Sequence, residues 1–317
     1  MSTMSAYVKQ PNKQNPRIWS VLIEMNRPTL LIPIILVTAI IGMAQTVSMP
    51  APAAKSENGL TSYVEFDGTS DGDGQSFTLG SSVGYNFNQH FGVDLGVPVY
   101  FVRASSTSTT GSFSTNGIGN PYLDLRLKFS SAPVNFGSKL TGSVPIADSK
   151  KGLSTGRATF DWTNRFDHSF SSLTPFAEVG VANSVTDSRL FIRPYTTLGF
   201  NTHFSAGADY DLWKFISVGA SAYDILPSGQ QTVFSRIVRG SGNPAKSSHG
   251  RVFQDNQQTT GSADIARDNG FSAWIDASPG RVVDMELGYT RSVHYDLNAI
   301  SFSIGFNLAH LYRQGAQ

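Results

Sequence analysis

The sequence predicts an all-β chain: a transmembrane, up-and-down antiparallel β-barrel of about twelve strands. Three observations predict it. Apolar and polar residues alternate with a period of two in segments about ten residues long, short and long connections take turns, and aromatic residues gather at the segment ends. Composition agrees: charged residues make up 15% of the 317, below the ~25% usual in soluble domains. Several membrane helices are excluded, because each needs about 20 consecutive apolar residues and only one long apolar run exists. With no cysteine, the chain has no disulfide framework, thiol nucleophile or Cys-ligated metal. Lys and Arg (24) balance Asp and Glu (23), which removes the electrostatic case for nucleic acid.

The apolar run is Leu30 to Met43, preceded by Arg27 and followed by Ala44. Basic flank, apolar stretch and small-residue exit are the order of a secretory signal, so residues 1–44 are expected to be removed. Counting from Met25 gives a signal of ordinary length, which makes Met25 a candidate start. The alternative is an uncleaved membrane anchor, for which a run interrupted by Pro33 is short. Residues 45–60 are rich in Pro and Ala and are expected to form a flexible spacer on the periplasmic side.

Twelve alternating segments follow, at 61–67, 76–87, 91–102, 119–129, 136–146, 157–166, 174–183, 196–211, 215–226, 269–277, 281–291 and 298–308. Leu123-Asp124-Leu125-Arg126-Leu127-Lys128-Phe129 is the clearest: apolar residues on one face and full charges on the other. The connections at 88–90, 130–135, 167–173, 212–214 and 278–280 are short, and most of those between them are longer. Outer-membrane barrels have this pattern, with short periplasmic turns and long external loops. Outward-parity aromatics form two belts. Phe87, Phe91, Phe129, Phe136, Phe166, Tyr210 and Phe306 lie near the short turns, and Phe77, Phe101, Phe160, Phe200 and Phe271 near the long loops. Pro98 and Pro145 fall inside segments, where each removes a ladder hydrogen bond, so bulges near the outer rim are expected. Residues 309–317 are expected to be a periplasmic tail.

The inward parity carries the candidate site. Arg126, Lys128, Lys139, Arg157 and Arg165, with Asp124 and Asp161 among them, fall on neighbouring strands, and Glu65, Asp276, Asp284 and Glu286 fall on strands half a turn of the ring away. Two readings follow. A basic arc facing an acidic arc would orient and select passing solutes. Alternatively, the charges neutralise one another in a network that closes the barrel. The 227–268 connection is a surface loop, or its segment 231–238 extends a strand or folds inward as a plug.

Catalysis and metals receive little support. Asp167-His168-Ser169 falls in a short turn, where capping is the simpler role. Asp67, Asp71 and Asp73 resemble part of a calcium loop but lack its closing Glu, and Asp/Gly clusters are also hairpin-turn chemistry. Neither an enzymatic activity, a cofactor nor a metal is expected.

Gly117-Ile118-Gly119-Asn120-Pro121-Tyr122-Leu123-Asp124 and the later Ser143-Val144-Pro145-Ile146-Ala147-Asp148 resemble the outer-membrane transporter family associated with the meta-pathway of phenol degradation. That family has Asp where this chain has Asn120, and Thr-Gly where it has Ile146-Ala147. The resemblance covers roughly residues 75–308 and implies a channel for aromatic or other small organic solutes. The expected partners are outer-membrane lipid, the export and barrel-assembly machinery, and a small solute. The expected location is the bacterial outer membrane. A closed barrel working through its external loops, as a structural or surface-binding protein, is the alternative.

Overall fold

The computed structural model describes residues 58–71, 74–104, 114–131, 133–151, 153–185, 195–235 and 258–315. The expected signal segment therefore lies outside the described residues, as does most of the spacer. Fifteen strands form one antiparallel sheet. The first eight are β1 (Gly59–Ser70), β2 (Gly74–Asn86), β3 (Phe91–Ala104), β4 (Ser114–Ile118), β5 (Tyr122–Phe129), β6 (Asn135–Ser143), β7 (Thr159–Asp167) and β8 (Leu173–Val185). The rest are β9 (Tyr195–Trp213), β10 (Ile216–Pro227), β11 (Gln231–Ser235), β12 (Gln258–Gly261), β13 (Asp268–Ala277), β14 (Val283–Ser292) and β15 (Leu297–Asn307).

The sheet closes on itself. β10 pairs with β9 on one side and β13 on the other, and β15 returns to β1. β4 and β5 both pair with β3 and together make one wall position. With β11 and β12 above the wall, the ring has twelve strands, as the sequence predicts. Closure is what hydrocarbon demands: an open edge would leave a row of amides and carbonyls without partners.

The two faces sort by chemistry. Val83, Leu95 and Ile275 point outward and are more than half exposed (55%, 59% and 51%), which in a bilayer means contact with lipid tails. The inner aromatic belt is a chain of touching rings. Phe87 stacks on Phe91, His90 on Phe129, Phe129 on Phe136, and Phe136 leans on Phe166. At the other end Phe66 contacts Phe77 and Phe302. With short turns at one end, long connections at the other and an apolar outer band, this is a barrel of the bacterial outer membrane.

Four details differ from the sequence reading. The 119–129 segment is split, because Gly119, Asn120 and Pro121 leave the ladder between β4 and β5. Pro98 needs no bulge of its own: it lies opposite that break, with its carbonyl accepting from the Gly119 amide at 2.7 Å. β6 ends at Ser143, so Pro145 stands in the external connection instead of a strand. The expected periplasmic tail begins as a helix, α1 (Leu308–Gly315).

The connection 144–158 folds inward. Leu153 is 3% exposed and packs on Tyr100 and Val102, inward-facing residues of β3. Asn120 Oδ1 accepts from the Ala147 amide at 3.1 Å, and the Pro121 carbonyl accepts from the Val144 amide at 3.1 Å. The two segments that carry the family resemblance are thereby bonded to each other. The 227–268 connection begins and ends in strand: β11 extends the wall by pairing with the outer end of β9, Thr232 opposite Leu198, and β12 pairs with β11. Residues 236–238 lie outside the described residues.

A charge placed on the lipid-facing side should be costly. Leu287, midway along β14 and exposed outward, is the test position. Leu287→Arg is expected to lower stability by about 2–4 kcal/mol in urea unfolding from phospholipid vesicles, the cost of a cation near the bilayer midplane.

Candidate functional site

Lumen-facing charges concentrate in the strand halves nearest the short turns. On β5 the Arg126 guanidinium is paired with Asp94 of β3 and donates to Asn86 Oδ1 of β2 at 3.1 Å. Lys139 of β6 stands directly opposite Arg126, and Lys128 follows two residues on, opposite Gly137. On β7 Arg165 gathers three carboxylates: Glu178 at 3.0 Å, Asp209 at 3.3 Å and Asp167 at 3.7 Å. Its guanidinium also lies 3.9 Å from the centre of the Phe176 ring, a cation–π contact.

On the acidic side three carboxylates accept from hydroxyls. Glu65 accepts from Ser303 at 2.8 Å, Asp284 from Ser278 at 2.9 Å and Tyr63 at 3.5 Å, and Asp276 from Ser217 at 3.4 Å. Glu286 is buried and directly opposite Asp276 in the β13–β14 register.

Arg157 is the exception among the predicted site residues. It stands exposed in the external connection before β7, not on a strand facing the lumen. The Thr155 side chain bonds to its backbone at 3.0 Å, so the chain turns there before the ladder begins.

The remaining predicted residues are on the inner face, but the picture of two separated arcs needs revision. Asp94, Asp124, Asp161, Asp167, Glu178 and Asp209 share the side of the ring with the cations. Along the described strands, carboxylates thus outnumber the inward cations Arg126, Lys128, Lys139 and Arg165. Arg126 and Arg165 are neutralised by neighbouring strands, not across the interior. The alternation along residues 91–102 turns Asp94 inward in the sequence. What it lacked was register, which alone says that Arg165 meets Glu178.

One device recurs in this ring. Side chains on alternate strands meet above a glycine on the strand between them. Asp209 of β9 and Trp274 of β13 are both opposite Gly219 of β10, and the indole Nε1 donates to Asp209 Oδ1 at 3.1 Å. His203 of β9 reaches across Gly180 of β8 to Asp161 of β7, 3.2 Å away. Arg126 crosses Gly92 to Asn86, Thr61 crosses Gly84 to Asp94, and Tyr63 crosses Gly305 to Asp284. Alternate strands are roughly 9.5 Å apart, so the crossing side chains lie almost flat on the sheet. A Cβ on Gly219 would fall 2.2 Å from Trp274 Cε2, and one on Gly180 would fall 2.3 Å from His203 Nε2.

The positions weighed for catalysis or calcium have local roles. Asp167 accepts from Asn135 at 2.9 Å, Thr174 donates to Ser169 at 3.0 Å, and His168 packs edge-on against Phe170. Asp71 accepts from the Gly74 amide at 2.9 Å, Asp67 lies on the lumen face of β1, and Asp73 is outside the described residues. Among the described residues no group of three or more His, Asp or Glu is arranged to hold a metal.

No protein-family model matches the chain, and no curated protein does. Solved structures do. The crystal structure of an outer membrane channel from Pseudomonas putida F1 superposes with a TM-score of 0.53 over 82% of this chain and 99% of that one, at 9% identity. The chain shares that channel's fold. The KdgM porin in complex with disordered oligogalacturonate (TM-score 0.44, 7% identity) and the NanC porin (0.42, 5%) are more distant. Each of those matches covers 77% of this chain and 98% of the porin.

Two substitutions test the ring. Arg165→Gln removes the partner of Glu178, whose side chain is 6% exposed, and is expected to cost about 3 kcal/mol because a buried charge loses its counterion. Gly219→Ala forces the indole off Asp209 and should cost about 1–3 kcal/mol, as overpacking does. Thermal unfolding measures both, and a shift in tryptophan emission reports the second.

Proposed function

We propose that the protein is an outer-membrane channel through which small solutes pass passively, and that its lumen favours cations over anions. The observation that carries this reading is the ring of inward carboxylates on a twelve-stranded wall, in excess over the inward cations Arg126, Lys128, Lys139 and Arg165. Fixed charge lining a narrow low-dielectric passage raises the local concentration of counterions and repels co-ions. Asp276, Asp284 and Glu65 act as the main selecting groups, because their partners include neutral hydroxyls, and Glu286, opposite Asp276, stands with them. Arg126 and Arg165 chiefly hold the wall together. The fold shared with a bacterial channel supports passage. The resemblance in residues 117–124 and 143–148 supports small organic compounds, aromatic ones among them, as the cargo.

A second reading, a closed barrel serving through its external surface, has one observation in its favour. Leu153 is seated inside the mouth on Tyr100 and Val102, which narrows the passage on that side. Both readings are separated by conductance of the refolded chain from Gln45 onward in a planar bilayer under asymmetric salt. Discrete steps with a cation-favouring reversal potential are expected, and Asp276→Asn combined with Glu286→Gln should move that potential toward zero. Deleting residues 149–155 should raise the conductance. A correctly inserted barrel that stays silent even after this deletion, and after removal of residues 236–257, would sink the channel reading.

A further inference from the structure

The described chain continues past the last strand. Asn307 ends β15 and its Oδ1 accepts from the His310 amide at 3.0 Å, capping the first turn of α1. The helix packs against β1 at the short-turn end, where Arg313 Nη2 donates to the Leu60 carbonyl at 3.1 Å. These bonds fix which way the helix faces. Ala309, His310 and Arg313 are half-buried, whereas Leu308, Leu311 and Tyr312 are 39%, 53% and 80% exposed. The three exposed residues stand at i, i+3 and i+4, so they share one side of the helix.

That side continues the lipid-facing band. Leu308 follows Ile304 and Phe306 on the outward parity of β15, and Leu60, beside the helix, is an outward residue of β1 at 57% exposure. Tyrosine is the side chain favoured where hydrocarbon gives way to headgroups. The helix carries one formal charge, Arg313, and no acid, which suits lipid phosphate.

We propose that α1 is an interfacial anchor. It lies along the inner leaflet of the outer membrane, with Leu308, Leu311 and Tyr312 sunk into phospholipid beside β15 and β1. An amphipathic helix with an apolar side and a cationic flank is suited to lie in that plane. Such an anchor would fix the tilt of the barrel at the β15–β1 closure.

The absence of cysteine in the chain makes the test direct. Tyr312→Cys, Leu311→Cys and Ala309→Cys are each labelled with a nitroxide in the full-length barrel, reconstituted in phosphatidylethanolamine/phosphatidylglycerol vesicles. Folding is checked by heat-modifiable gel mobility. Tyr312 is so exposed that its replacement leaves the barrel intact even if the others do not. Power saturation then reads collisions with oxygen, which concentrates in lipid, and with a water-soluble nickel complex. Labels at 312 and 311 are expected to favour oxygen by several-fold, with the ratio falling at 309. Free collision of the 312 label with nickel would mean that the helix stands in water and would overturn the proposal. So would low collision with both reagents, because the helix would then be covered by protein, either a second copy or the mouth of the barrel.

Discussion

Closure is the constraint on which the rest of this structure depends. Hydrocarbon offers no partner to a backbone amide, so every strand in the membrane must be paired on both edges and the sheet must return to its start. The β15–β1 and β9–β10 ladders complete that circuit. A ring of twelve strands then sets the width of the interior, lying between filled small barrels and open porins. Side chains turned inward are close to the next wall position, and their chemistry is decided by who stands beside them.

The glycines follow from that width. A side chain lying across the intervening strand needs that strand to be bare at the crossing, and Gly84, Gly92, Gly180, Gly219 and Gly305 provide the gaps. The resulting bonds tie alternate strands, adding side-chain links to a wall otherwise held by backbone ladders. They also sort the charged ring by role. Arg126 and Arg165 are engaged with adjacent carboxylates, whereas Asp276, Asp284 and Glu65 accept from hydroxyls.

The external side is built differently. The 144–158 connection turns back into the mouth because Leu153 finds an apolar seat on Tyr100 and Val102. The ladder break at Gly119-Asn120-Pro121 supplies Asn120 to hold the connection at Ala147. A proline that would weaken an ordinary ladder, Pro98, lies where its neighbour leaves the sheet between β4 and β5.

The sequence by itself determined the fold class, the strand count and the inward face. Each is written in a local period: two residues along Leu123–Phe129, a rhythm of connection lengths, aromatics at strand ends. It also placed Arg126, Lys128, Lys139, Arg165, Glu65, Asp276, Asp284 and Glu286 inside, because parity is a local property. Partnership was beyond it. Arg165 meets Glu178 and Asp209, and Trp274 meets Asp209, only through registers that join residues far apart in the chain. Arg157 was misplaced because alternation does not mark where a ladder starts, and β7 begins only at Thr159, two residues later. The inward fold of 144–158 and the helix after β15 were likewise decided by tertiary contacts: an apolar seat inside the mouth for one, a carbonyl on β1 for the other.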